Sequence, residues 1–113
     1  MAPDGYVQCY GRKACFGTTI ESGLGVYSYG WFGVKQGSIT NTPLVYAFGY
    51  NSVASTTIDS DGLDNMVVKG YGYRALYHSE IYCRSGTNCT IQCDGKLIKI
   101  YIQISFVYII LYI

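Results

Sequence analysis

Charge is what this chain has least of. Only 13% of its 113 residues are charged, eight basic against seven acidic, and they are scattered without a run of either sign. That leaves no electrostatic footprint for nucleic acid or an acidic membrane surface. Histidine occurs once, at His78, and no cysteine or serine is tied to it by a recognised catalytic motif, so it reads as a solvated surface imidazole. No stretch keeps apolar residues at spacings of three, four and seven without a glycine or a β-branched run intervening, which argues against helices. The opening MAPDGYVQ has neither the basic stretch nor the apolar core of a secretory leader.

What is there is glycine, tyrosine and repetition. Half the residues are hydrophobic, 14 are glycine and 13 are tyrosine, a mixture that suits many short strands. At this length the chain holds one core and one domain. The stretch Val68 to Ile81, VKGYGYRALYHSEI, is a template that recurs. An opening valine stands at 7, 26, 45 and 68, with Ile91 in a fifth, broken copy; glycine follows at 11, 30, 49, 72 and 95; isoleucine closes at 20, 39, 58 and 81, with Ile104 expected to close the fifth. The period is 19, 19, 23 and 23 residues, the signature of a stacked-repeat fold.

Within one copy, side chains alternate: Val7 and Cys9 face one way, Gln8 and Tyr10 the other. Gly11 then turns a corner, Ala14 and Cys15 lie on or beside a second strand, and Thr18 to Ile20 form a third. Three short strands and three corners describe one rung of a parallel β-helix. The expected fold is therefore all-β, a right-handed parallel β-helix (β-solenoid) of four to five coils of 19–23 residues, over residues 1–95. Two places after the opening valines come Cys9, Ser28, Ala47, Gly70 and Cys93, small residues where the cross-section narrows. The glycine supplies a corner of positive φ or close backbone approach. Four-residue insertions in DSDGLDNM and YCRSGTN fall at the same corner, giving one edge of the solenoid longer loops. Because the first repeat leaves no room for an atypical terminal cap, we expect the chain to be part of a longer protein.

The pattern V-x-C-x-G-x-x-x-C with its closing isoleucine, and the run GYGYRALYHSEIYCRSGTNCTIQCDG, resemble the Cys- and Gly-rich right-handed β-helix repeats of large surface or secreted proteins of eukaryotic microbes. These are similar in architecture to the pectin-lyase-like solenoids. The resemblance spans roughly residues 6 to 95 and implies a parallel β-helix in an extracellular or cell-surface setting, without implying lyase activity. Coils two and three depart from it, carrying Ser28 and Val34, then Ala47 and Val53, where the pattern has cysteine.

Five cysteines leave one over. The repeat frame pairs Cys9 with Cys15 and Cys83 with Cys89, across the RSGTN turn, and leaves Cys93 without its expected partner, Lys99 standing in that place. Four rungs of about 4.8 Å put Cys9 and Cys93 about 19 Å apart, beyond disulfide reach. Free buried thiols and a metal site stay open as alternatives, the spacing being that of no zinc knuckle or ribbon.

The candidate sites are few. Asp59, Asp61 and Asp64 in DSDGLDN read as a long polar turn or a weak calcium loop, the glycine falling two places early for an EF-hand. A lyase would use such carboxylates beside a base, and nothing fixes Lys69 or Arg74 in that role. Asn88-Cys89-Thr90 is a formal N-glycosylation sequon. No cofactor is expected. The sharper feature is outward and aromatic: Tyr29, Phe48 and Tyr71 in one column, Trp31, Tyr50 and Tyr73 two places on, with Tyr10, Tyr27 and Tyr46 beside them. Such a ladder stabilises a solenoid by cross-strand contact. As a contiguous face it is also a surface for glycan or another protein.

Residues 96–113 change character to KLIKIYIQISFVYIILYI. From Ile100 onward the run is 14 residues, short of the roughly 20 that a membrane helix needs. Three readings stand: translated AT-rich non-coding sequence, a final strand pair on the last coil, or a truncated membrane anchor. The expected function is non-catalytic, a structural or adhesive segment of a surface or secreted protein. The alternative is a fragment of a polysaccharide-active enzyme on the same scaffold.

Overall fold

The computed structural model describes residues 5–21, 24–31, 33–49, 52–72, 75–93, 99–104 and 107–112, with backbone alone for 93 and 99–112. In chain order the strands are β1 (Tyr6–Tyr10), β2 (Thr19–Glu21), β3 (Gly25–Tyr29), β4 (Val34–Lys35), β5 (Ser38–Thr40), β6 (Leu44–Phe48), β7 (Val53–Ala54), β8 (Thr57–Asp59), β9 (Asn65–Tyr71), β10 (Glu80–Cys83), β11 (Asn88–Cys93), β12 (Lys99–Ile104) and β13 (Val107–Tyr112). They form a parallel β-solenoid of about four turns. The first side of each coil builds the sheet β1-β3-β6-β9-β11, the third side builds β2-β5-β8-β10-β12 with β13 beyond it, and the second side is the short pair β4-β7.

The opening column and the column two places on are register pairs from coil to coil. Val7 lies on Val26, Val26 on Val45, Val45 on Val68 and Val68 on Ile91; the closing isoleucines 20, 39, 58 and 81 stack likewise. Val26, Val45, Val68 and the closing isoleucines are fully or almost fully buried. A single coil has nothing to bury these residues against, so the core exists only between neighbours. Interior hydroxyls serve the backbone at the corners. Ser28 Oγ donates to the Ser52 carbonyl (2.6 Å), Thr56 Oγ1 to Ala54 (2.9 Å) and Ser79 Oγ to Val53 (3.4 Å). The Ser52 and Ala54 carbonyls also accept the backbone N–H of Val34 (2.9 Å) and of Gln36 (3.1 Å), so these hydroxyls fill a second lone pair.

The two inner corners differ in what they demand. Gly11, Gly30, Gly49 and Gly72 sit at φ between +93° and +104°, past the left-handed well near +57° that other residues reach. Ten places after each opening valine, Gly17, Gln36, Ser55 and His78 sit at φ between +48° and +68°, inside that well, so the position accepts several residue types at roughly 1–2 kcal/mol each.

Both bridges of the repeat frame are present. Cys9–Cys15, with α-carbons 5.7 Å apart, spans the interior of coil one where later coils place Ser28 beside Val34 and Ala47 beside Val53; Cys83–Cys89, at 6.2 Å, closes the RSGTN turn. The side chain of Cys93 lies outside the described residues. One register differs from expectation. Ile81 pairs with Ile100, not with a residue at 104, because coil five reaches its third side four residues sooner than its predecessors. Ile104 instead faces Val107 across the antiparallel β12–β13 pair. The backbone of the C-terminal run is thus the strand-pair arrangement, and among the described residues no helix is long and apolar enough to cross a membrane.

Candidate functional site: an outward aromatic face

Alternation along the first-side strands sends Val7, Cys9 and their successors inward, so the intervening residues face out. Coil stacking then sets like residues about 5 Å apart. Tyr10 stacks on Tyr29 (centroids 4.8 Å, planes 7° apart), Tyr29 on Phe48 (5.0 Å, 9°) and Phe48 on Tyr71 (5.4 Å, 17°). Beside this ladder runs a second, tilted row: Tyr6 to Tyr27 at 5.7 Å, Tyr27 to Tyr46 at 5.3 Å, and Tyr46 back to Phe48 at 5.8 Å. These contacts join seven rings into one patch. Lys69 Nζ closes the second row 5.8 Å over Tyr46. Desolvation among the rings pushes the Tyr27 hydroxyl above its ordinary value, and the phenols of Tyr6, Tyr46 and Tyr29 push it the same way. Tyr27 is therefore a neutral hydrogen-bonding group at physiological pH.

This differs from the two-column face read in the sequence. Tyr29, Phe48 and Tyr71 lie where expected, but the first strand ends with them. The corner glycine intervenes, and Trp31 belongs to the next side of the coil, half-exposed with Arg12 5.8 Å over its ring. Tyr50 and Tyr73 lie outside the described residues. The second column on this sheet is Tyr27 and Tyr46, with Tyr6 at the edge. The error was to carry the alternation of two past a residue of positive φ, which ends it. A second correction concerns what the rings offer. Parallel stacking at about 5 Å covers the ring faces with one another, so the ladder presents edges and phenol oxygens rather than the open planes that stacking on a sugar needs.

The remaining candidates are placed as follows. At the third corner Asp59 holds Arg84 of the next coil through both oxygens (Nε–Oδ1 3.0 Å, Nη2–Oδ2 2.7 Å) and accepts the Asp61 N–H at 3.0 Å. Its lone pairs serve the stacking of the two long loops, which Thr87 Oγ1 to Leu63 (2.5 Å) and the Asn88 N–H to Asp64 (2.8 Å) continue. Among the described residues no three His, Cys, Asp or Glu side chains gather to hold a metal. His78 is exposed at the second corner, edge-on to Tyr77 at 4.1 Å. Asn88 and Thr90 are both exposed, with Cys89 turned inward between them to its bridge.

The Arg84 hydrogen bond holds the Asp59 carboxyl below its ordinary value against the opposing effect of burial, with a lesser contribution from the Asp61 N–H. A depressed folded-state value stabilises above the unfolded-state pKa, and the gain is lost as pH falls through the folded-state value. Both partners are partly exposed, at 37% and 20%, so the pair contributes about 0.5–1 kcal/mol. Urea titrations at neutral and acid pH should show the parent losing about that much more stability than Asp59→Asn, and equal losses would show the pair to be energetically silent.

A comparison with protein family models, with characterised proteins and with solved structures finds no match for this chain.

Proposed function

We propose that this chain is a non-catalytic, structural or adhesive β-solenoid segment of an extracellular or cell-surface protein, and that its outward aromatic face meets a protein or glycan partner. The observation that carries the reading is the continuity of the seven rings on one sheet face. Scattered surface aromatics are ordinary, whereas contiguous ones mark an interaction surface. Two disulfides in so short a chain are compatible with an oxidising, extracytoplasmic setting. The resemblance of its repeats to Cys- and Gly-rich β-helix proteins points the same way. The enzyme reading has less support: its best carboxylate, Asp59, is committed to Arg84.

Because ring faces are covered within the ladder, contact falls to ring edges, phenol hydroxyls and the more open Tyr6 and Tyr10. The test combines Tyr27→Ala, Tyr46→Ala and Phe48→Ala at the centre of the patch. All three side chains point away from the core, so circular dichroism should show the variant folded. Glycan-array and pull-down measurements on parent and variant should show binding by the parent and its loss in the variant. Equal binding by both, or no binding by the parent, would leave the aromatic face as scaffold.

A further inference from the structure

The chain holds four asparagines, at 41, 51, 65 and 88. Of these, Asn88 alone has a serine or threonine two places on, Thr90, with a residue other than proline between them. That is the arrangement of an acceptor for N-linked glycan. Whether the folded chain can carry a glycan there depends on where the pair points.

Asn88 and Thr90 lie in β11, and alternation sends both to the outer face of the first-side sheet, while Cys89 between them turns inward to its bridge with Cys83. Both are exposed. Their exposure does not depend on β11 being the last strand of its sheet, because side chains on a sheet face stand perpendicular to the sheet and not along the stacking direction. Asn65, in register with Asn88 one coil earlier and on a strand with a neighbour on either side, is exposed as well. What fixes Asn88 is its backbone. Its N–H donates to the Asp64 carbonyl (2.8 Å), β11 pairs with β9 from Asn88 onward, and the bridge holds the next residue. A group attached to the side chain would therefore displace none of these contacts.

The position also relates the site to the rings. Thr90 is in register with Val67, and Gln92 with Lys69, whose ammonium lies over Tyr46. A sugar on Asn88 stands on the same face, about 13 Å along the strand from the column of Tyr46 and Lys69, so it borders the aromatic patch.

We propose that Asn88 is an N-glycosylation site whose glycan is carried by the folded, bridged protein. The co-substrate is an oligosaccharide joined through diphosphate to a lipid. Asn88 Nδ2 forms the bond to the anomeric carbon of the first sugar and gives up one proton; the bond from that carbon to the diphosphate oxygen breaks, and its electron pair leaves with the lipid diphosphate. The Thr90 hydroxyl, on the same face, is the second element that the transferring enzyme recognises. The site rests on the extracytoplasmic reading given above.

The test supplies that setting. The full chain, behind a cleavable secretory leader, is translated into oxidising microsomes that hold lipid-linked oligosaccharide. The parent is expected to gain a single glycan, seen as one step in gel mobility that peptide N-glycosidase reverses, leaving aspartate in place of Asn88 in the released peptide. Asn88→Gln and Thr90→Ala should each abolish the step. Non-reducing peptide mapping of the glycosylated parent should find Cys83 bridged to Cys89. A parent without glycan, a glycan that survives Asn88→Gln or Thr90→Ala, or one confined to molecules in which Cys83 and Cys89 are unpaired each overturns the proposal. Because the leader is supplied, such a failure counts against Asn88 as an acceptor and not against the extracytoplasmic setting, which is tested separately by fractionating the cells that make the protein.

Discussion

Gly72→Ala is expected to be the most destabilising single substitution at the first corner, several kcal/mol, and the four corner glycines are expected to form a graded series. All share a φ near +100°, so each alanine carries a comparable backbone strain, about 1–3 kcal/mol for a residue held in a sparsely populated region. What differs is what the new Cβ meets. At Gly11 it meets nothing within 4 Å; at Gly30 the nearest atom is the Gly11 nitrogen at 3.5 Å; at Gly49 the Gly30 nitrogen at 3.3 Å; at Gly72 the nitrogen and α-carbon of Gly49 at 3.0 and 3.1 Å. These neighbours are backbone, which cannot swing aside as a side chain does. Relieving the contact at Gly72 means prising coil four from coil three and lengthening the Gly49 N–H to Tyr71 hydrogen bond, now 2.8 Å. Against a total of about 5–15 kcal/mol for a domain of this kind, such a loss leaves a marginal fold. Urea unfolding of the four alanine variants should rank them Gly11, Gly30, Gly49, Gly72 in rising cost. Four equal values would show strain alone at work and the close stacking of corners to be unimportant.

Ile58→Ala is the second large effect, expected at about 2–5 kcal/mol. Ile58 is fully buried and lies between Ile39 and Ile81 in the closing column. Truncation therefore opens a void against two coils, and stacked coils have little freedom to collapse into it because backbone hydrogen bonds fix their spacing. Ile20 is buried as well, but its strand β2 has a neighbour on one side alone among the described residues. Ile20→Ala should therefore cost less, by about the loss of one coil-to-coil contact. Thermal melts followed by circular dichroism should show a fall on the order of 10–20 °C for Ile58→Ala and a smaller one for Ile20→Ala. Equal shifts would mean that the column does not act through nearest neighbours.

Much of the architecture was legible because a solenoid turns a local pattern into a tertiary contact. A residue one period away in sequence is the neighbour one rung away in space, so Val7, Val26, Val45 and Val68 announced their stacking. The corner glycines announced themselves too, since φ near +100° excludes other residues and so forces recurrence. The second corner left no such mark: at Gly17, Gln36, Ser55 and His78 the milder left-handed geometry admits many side chains, and no common residue flags it. The closing residue of coil five was misplaced at Ile104 for a related reason, the period being taken as constant where the chain shortens its path to Ile100.

The sequence by itself determined the stacked coils and the inward columns of the first four, and it placed each of the two cysteine pairs within one coil or turn, because each follows from residues one period or a few places apart. Only the tertiary structure decided which outward residues are neighbours across a face. That choice depends on where a strand ends and a corner begins, which set Trp31 around the turn from Tyr29 and added Tyr6 to the row of Tyr27 and Tyr46 beside the ladder. It also decided how the rings lie, since near-parallel stacking depends on rung spacing and rotamer together and covers the very faces that composition alone would offer to a ligand. The hold of Asp59 on Arg84, 25 residues away, belongs to the same class. Two long loops had to be stacked before either charge had a partner.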